Sequence, residues 1–323
     1  MYDVITLGSA SIDVFVKTRH PEIVKHRQHD DVCYAIGQKV LVEDLHVDTG
    51  GGGTNTAVAF ARLGLKTGWV GKLGKDLHAK TVLDEMKREH VDFLGNQGAG
   101  MTGYSVILTG LESNRTILTF KGVNDRLATK DIPWNKLATK WFYFSTLMGT
   151  SFETLKRAAA FAKKKGIRYA FNPSMYLAQQ GANALKPIIQ DCDLLVLNRE
   201  EAQALLGTQG RCVEMLPELQ RYAKIAVITD GPKPAHAYNG ISHYEITPPD
   251  IPVVETTGAG DAFAAGMLAG LLITKDLAMA MQWGMAESCS VIQRIGAKQR
   301  LLSRAGIQRR ARTKPAKLTI TRL

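Results

Sequence analysis

The 323-residue sequence predicts an α/β fold: a mostly parallel sheet covered by helices on both faces, with a smaller sheet set apart from it. Three observations carry that expectation. From Trp141 onward, short apolar β-prone runs alternate with amphipathic segments of helical length, the pattern of parallel strands joined by crossover helices. Two stretches, 14–48 and 102–121, break the rhythm with β-prone runs that no helix follows. Finally, two glycine-rich loops run straight into helices, and polar residues recur just past the ends of several strands. In open α/β sheets that edge is where ligands bind.

Composition narrows the class. The hydrophobic fraction of 45% fits a chain with a substantial core. No uninterrupted apolar run reaches membrane-spanning length, and Met1-Tyr2-Asp3-Val4 lacks the features of a secretory leader; a cytoplasmic protein is expected. Cys33, Cys192, Cys212 and Cys289 are too scattered for a zinc site or a disulfide framework. The net charge of +11 points to an anionic partner, either nucleic acid or a phosphate-bearing small molecule. Much of the excess follows Ser303, where Arg304, Arg309, Arg310, Arg312, Lys314, Lys317 and Arg322 meet no acid. Residues 304–323 therefore read as a basic tail, and without an aromatic residue for base stacking no specific nucleic-acid reader is expected.

In order, Tyr2–Ser9 reads as a buried strand ending in a turn, with Asp13 at the ligand edge. His26-Arg27-Gln28-His29-Asp30-Asp31 reads as a solvated loop rather than a metal cluster, because Lys25 and Arg27 flank it. Asp48 to Asn55 holds four successive glycines and feeds a short helix that ends at Gly64. Such a loop suits close approach to the backbone; Thr54 or Asn55 serves either as a helix cap or, in Asn55, as a polar ligand contact. Lys66–Gly71 continues as a strand and Asp76–Glu89 as a helix. Gly98-Ala99-Gly100-Met101-Thr102-Gly103 matches a dinucleotide fingerprint as a string, but a strand follows it where the fingerprint needs a helix, so that reading is rejected; no Walker A loop is present. Tyr104–Thr109 and Arg115–Lys121 form a hairpin, and with 14–48 they make the small sheet. Strands follow at Trp141–Ser145, Arg168–Asn172, Leu194–Leu197 and Lys224–Thr229. Helices follow at Phe152–Lys165, Met175–Gln190, Glu200–Leu206 and near Cys212–Tyr222.

The most informative stretch is Glu255-Thr256-Thr257-Gly258-Ala259-Gly260-Asp261, which opens the first of two buried helices within 261–285. A helix start stripped of side chains exposes unpaired N–H groups at the positive end of the helix dipole, a ready anion site. A carboxylate there repels a phosphate but can take a proton from a hydroxyl attacking it. Phosphoryl transfer to an alcohol is the functional reading. A glycine turn with Asp261 as helix cap is the structural one.

Three motifs together resemble the ribokinase-like (PfkB) carbohydrate and nucleoside kinases along most of the chain. Gly50-Gly51-Gly52-Gly53-Thr54-Asn55-Thr56-Ala57 is similar to the family's GGxGxNxA signature, Asn198-Arg199-Glu200-Glu201 to its NxxE motif, and Thr256 to Phe263 to its second signature. The resemblance implies a three-layer α/β/α body (1–13, 49–101, 122–303) and a β-sheet lid (14–48, 102–121) that can pair between subunits into a homodimer. It implies Asp261 as general base, with Gly258, Ala259 and Gly260 as anion hole. Asp13, Gly52, Gly53 and Asn55 would hold a sugar or nucleoside. Asn198 and Glu201 would organise Mg²⁺, the latter through water, with ATP phosphates; Thr229, Gly231 and Ala286 would contact the nucleotide. Glu255 and Thr257 lie where many members bind a monovalent cation, so K⁺ joins ATP and Mg²⁺ as an expected cofactor. Glu255 stands where Asp is usual, Pro234 replaces a glycine, and no carboxylate follows Phe144, which speaks against ribose itself. The alternatives are a non-catalytic binding or regulatory protein on the same scaffold, with its basic tail on RNA, and a kinase of a vitamin-like alcohol.

Overall fold

The computed structural model describes residues 1–18, 22–26, 30–109, 115–313 and 315–322. The chain begins with β1 (Tyr2–Leu7), β2 (Ser11–Thr18), β3 (Glu22–Lys25), β4 (Asp30–Cys33) and β5 (Val42–Gly50). Then come α1 (Gly52–Arg62), β6 (Thr67–Val70), β7 (Lys72–Leu73), α2 (Leu77–Arg88), β8 (Val91–Phe93), β9 (Asn96–Gln97), β10 (Gly103–Thr109) and β11 (Arg115–Phe120). The alternating part follows as β12 (Thr139–Ser145), α3 (Thr150–Lys165), β13 (Arg168–Asn172), α4 (Met175–Ala178), α5 (Gly181–Ile189), β14 (Cys192–Asn198), α6 (Arg199–Leu206), α7 (Cys212–Gln220) and β15 (Ala223–Asp230). The chain continues through β16 (Lys233–Tyr238), β17 (Ser242–Thr247), α8 (Ala259–Thr274), α9 (Leu277–Val291), α10 (Arg304–Thr313) and β18 (Lys317–Arg322).

A ten-stranded sheet in the order β18-β17-β16-β15-β14-β13-β12-β1-β6-β8 forms the middle layer. Its pairings from β8 through β15 are parallel, and those of β15 to β18 are antiparallel. Alternation along β12 shows why the sheet is covered twice. Trp141 and Tyr143 pack with α1, α8 and α9, whereas Phe142 and Phe144 pack with α3, α5, α6 and α7. The strand order reverses at β1, between β6 and β12, so the crevice outside the carboxyl ends of β1 and β12 is the topological switch point.

The second sheet has the order β11-β10-β2-β5, which unites strands of both excursions in one small sheet, the expected lid. Cross-strand register places Asp13, Ser105 and Thr119 in one row and Phe15, Ile107 and Ile117 in the next of the same face, toward the crevice. Residues 98–102 form a loop that enters strand β10, as the rejection of a dinucleotide site required.

Two expectations are corrected. The basic segment is not a solvated tail: α10 anchors through the fully buried Ile307, and β18 pairs with all of β17. Leu318 packs against the core while the rest of β18 is exposed, and Lys317 and Arg322 are charges that blunt a sheet edge. The helix expected over Met175–Gln190 is two, because the chain turns at Gly181 (φ 78°). Around the His-rich loop, β3 and β4 pair, and His26 bonds Asp31 at 3.0 Å. Residues 27–29, 110–114 and Lys314 lie outside the described residues; among the described residues no cluster suited to a metal occurs.

Candidate active site

The N-terminus of α8 is built by Gly258 in the left-handed conformation (φ 82°). An added Cβ there would sit 2.6 Å from the Ala297 side chain, so both backbone and packing demand glycine. No side chain caps this helix, and around Gly260 a Cβ would meet nothing within 4 Å. Asp261 is the third helical residue and so not the cap, which removes the purely structural reading of that carboxylate. Its Oδ2 accepts a 2.8 Å hydrogen bond from Asn55 Nδ2. Burial pushes the Asp261 carboxyl above its ordinary range, against the lowering effect of that bond. The Asn55 Oδ1 is buried without a protein partner, a vacant acceptor beside the carboxylate.

Asp13 stands on β2 across the same cavity, only 7% exposed, and accepts from Ser11 Oγ at 2.7 Å. Burial raises its pKa as well. Gly50 makes room for it, since a Cβ there would lie 1.9 Å from Asp13 Oδ2. Gly52 lines the cavity, 3.4 Å from Asp261 Oδ1 by the same measure. Gly53 does not: a Cβ on it would strike the Gly8 backbone at 2.5 Å and Trp69 at 2.7 Å. It serves the seating of α1 on β1 and is not among the residues that line the cavity.

Asn198 caps α6 reciprocally with Glu201. Its Oδ1 accepts from the Glu201 N–H at 2.8 Å, and Glu201 Oε2 accepts from the Asn198 N–H at 2.9 Å. That holds the Glu201 carboxylate at the cavity wall, where burial pushes its pKa up to about 7. The carboxylate, which the Met175 backbone also approaches, faces the cavity, so the pair fits a hydrated Mg²⁺.

Glu255 fits a monovalent cation poorly. It is 4% exposed, and both its oxygens accept from the Thr257 N–H at 2.9 Å, with Thr257 Oγ1 donating at 2.8 Å. The Arg115 guanidinium, from the lid, stands 3.5 Å from Glu255 Oε1 and also bonds Thr256 Oγ1. A carboxylate already facing a fixed cation gains little from a second one.

Two cavities meet at this helix start. One, of about 480 Å³, lies under the lid and is lined by Asp13, Gly52, Asn55, Asn198, Glu201 and Asp261, together with lid residues Ile107, Ile117 and Lys121. The other, of about 620 Å³, is lined by Gly231, Pro248, Ile251, Val253, Phe263, Met285, Cys289 and Ile292. Thr229, Thr256 and Gly260 belong to both. Ala286 falls outside the larger one; it faces a small void beside Gln282, Arg310 and Ala316, while Met285, Ser288 and Cys289 take the place expected of it. Sequence reasoning missed Arg115, Lys121 and Asn124. Asn124 was legible only as a polar residue after the lid, yet it clasps both backbone groups of Ala10, at 3.0 and 2.8 Å.

A doubly covered sheet, a bare helix start between two cavities and a carboxylate at their junction describe a phosphotransferase of small alcohols. The pfkB family carbohydrate kinase model matches residues 4–303, and the chain belongs to that family. An uncharacterized sugar kinase of Archaeoglobus fulgidus is 29% identical over 256 residues, 76% of this chain and 98% of that one. Staphylococcus aureus ribokinase is 26% identical over 91% of this chain and 95% of its own. Among solved structures, adenosine kinase from Sinorhizobium meliloti superposes with a TM-score of 0.82 at 23% identity, covering 96% of this chain and 99% of the other. The protein is a carbohydrate or nucleoside kinase with an ATP-binding, ribokinase-like fold. None of its described helices is long and apolar enough to cross a membrane.

Proposed function

We propose that this kinase transfers the terminal phosphoryl group of ATP to a hydroxyl of a sugar or nucleoside, with Asp261 as the general base. The observation that carries this reading is Gly260, which both cavities share, with Asp261 next to it in the cavity under the lid. The acceptor occupies the space under the lid, where Asp13 and the free Asn55 Oδ1 receive its hydroxyls. The nucleotide occupies the second cavity, between the Thr229–Gly231 turn and the apolar wall of Phe263, Met285 and Ile292. As the acceptor oxygen bonds to phosphorus, its proton passes to Asp261, which Asn55 aims. The bare N–H groups at Gly258, Ala259 and Gly260 receive the charge that builds on the transferring group. Glu201, positioned by Asn198, would hold the waters of Mg²⁺, an ion that neutralises phosphate charge when bound. Arg115 supplies the positive charge at Glu255, and no step needs K⁺.

A lid-mediated homodimer belongs to the same reading, motivated by the exposed Leu45, Val47 and Leu118 on the lid face opposite the cavity. Mixing the protein across a range of concentrations in sedimentation analysis decides it, and a monomer at all of them refutes it.

The central test is Asp261→Asn. The variant should melt like the parent and still bind ATP, while kcat falls by about 10²–10⁴-fold, the size of a lost general base. Near-parental turnover would overturn the assignment. A binding protein on this scaffold, the second reading, predicts no ATP turnover on any sugar, sugar phosphate or nucleoside.

A further inference from the structure

Two cations line the cavity under the lid, Arg115 and Lys121. Arg115 is neutralised by Glu255. Among the described residues, Lys121 has no carboxylate within ion-pair distance and donates no hydrogen bond. Instead, its ammonium stands 4.8 Å from the ring centroid of Tyr176, which is half exposed at the cavity rim. The backbone here is fixed: Asn124 Nδ2 donates to the Lys121 carbonyl at 2.9 Å and to that of Ala10 at 2.8 Å. That ties the end of β11 to the β1–β2 turn next to Asp13.

Lysine at a protein surface ordinarily extends its charge into water. This one is held partly buried, and burial pushes its pKa down while the more distant Asp125 and Asp13 oppose that effect. An aromatic face attracts an ammonium but cancels none of its charge. What the position lacks is a counter-anion, and it opens on the cavity that takes the acceptor.

We propose that the acceptor is an acidic sugar, one carrying a carboxylate or a phosphate ester, whose anionic group binds Lys121 at the rim while its reacting hydroxyl lies at Asp261. This rests on the kinase reading above. The step itself balances as any such transfer: the hydroxyl oxygen bonds the terminal phosphorus of ATP, the bond from that phosphorus to the bridging oxygen breaks, ADP leaves with the electron pair, and the proton goes to Asp261. Lys121 takes no part in these bonds and sets acceptor preference only.

The test offers the purified enzyme and ATP a set of matched acceptors: pentoses and hexoses, the corresponding aldonic acids, the corresponding monophosphates, and nucleosides. The acidic member of a pair should exceed its neutral parent in kcat/KM by about 10- to 100-fold, the range of a charge-assisted hydrogen bond. Whether aldonate or monophosphate wins identifies the anion. Lys121→Met should erase most of that preference through KM, and Lys121→Arg should keep it. If Lys121→Met does not fold, the parental preference and its survival in Lys121→Arg decide the matter. A neutral sugar or nucleoside as best acceptor, or an acid preference that survives in a folded Lys121→Met, overturns this inference and leaves the kinase intact. Failure to phosphorylate any acceptor removes both.

Discussion

The two glycine-rich helix starts look alike in sequence and do opposite work. At α1 Gly51 and Gly53 turn inward. Gly53 donates its N–H to the Ser9 carbonyl at 3.0 Å, Asn55 donates to Gly51, and the backbones of Gly8 and Gly53 nearly touch. Much of that helix start is consumed by packing, and what it gives the site is Gly52, which lines the cavity, and Asn55 one turn along. At α8 Gly258 packs against Ala297, but Gly260 turns outward with space around it. A glycine run therefore marks close backbone approach, and only the surroundings say whether the approaching group is protein or ligand.

The largest effect that separates the two is steric. Gly53→Ala should lower folding stability by about 2–3 kcal/mol, because rigid backbone lies within clash distance and the helix must lift off β1. Gly260→Ala should change stability by less than about 0.5 kcal/mol, since nothing crowds the site. Its methyl group would project into the shared cavity and raise the KM for ATP by about tenfold. Urea denaturation and steady-state kinetics on the two variants check this. Equal stability losses would mean that the two helix starts are built alike after all.

That contrast also explains how much was legible in the sequence. Alternation of strand and helix patterns gave the body, and the absence of helices in two stretches gave the lid, because both are local signals. Asp261, Asn55 and Asn198 were legible as polar residues at the ends of strands or the starts of helices. A motif does not say which of its glycines faces inward, and Gly53 lies outside the cavity lining. Ala286 lies outside the larger cavity for a similar reason: one residue along a helix rotates a side chain by about 100°, enough to leave it. The strand β18 was hidden by its charge, and β16 and β17 by short runs without a helix between them. Arg115 could not be found at all, because its partner Glu255 lies 140 residues on and only the fold of the lid brings them together.

A smaller effect separates the acids of the site by pH. Burial leaves Glu201 with a pKa of about 7, so it is largely neutral below that pH and charged above it. A charged Glu201 holds the waters of Mg²⁺ better, and the Mg²⁺ concentration for half-maximal rate should therefore fall as pH rises from 6 to 8, by at most about tenfold per unit below the pKa. Glu201→Gln should weaken the Mg²⁺ response and flatten that dependence. A pH-independent Mg²⁺ requirement in the parent would place the metal elsewhere.

The smallest expected effect concerns the turn before α8, where a lid arginine faces Glu255 in place of a free ion. Replacing K⁺ by tetramethylammonium at constant ionic strength should alter kcat by less than about twofold, because fixed ionic strength leaves general screening unchanged and the local charge is already balanced. Arg115→Met reverses the situation: Glu255 then carries an unbalanced buried charge beside the anion hole, and the variant should lose rate in tetramethylammonium and recover part of it in K⁺ or on adding guanidinium. Marked K⁺ activation of the parent would show that Arg115 leaves Glu255 during turnover, and the lid would then open and close over a cation site rather than complete it.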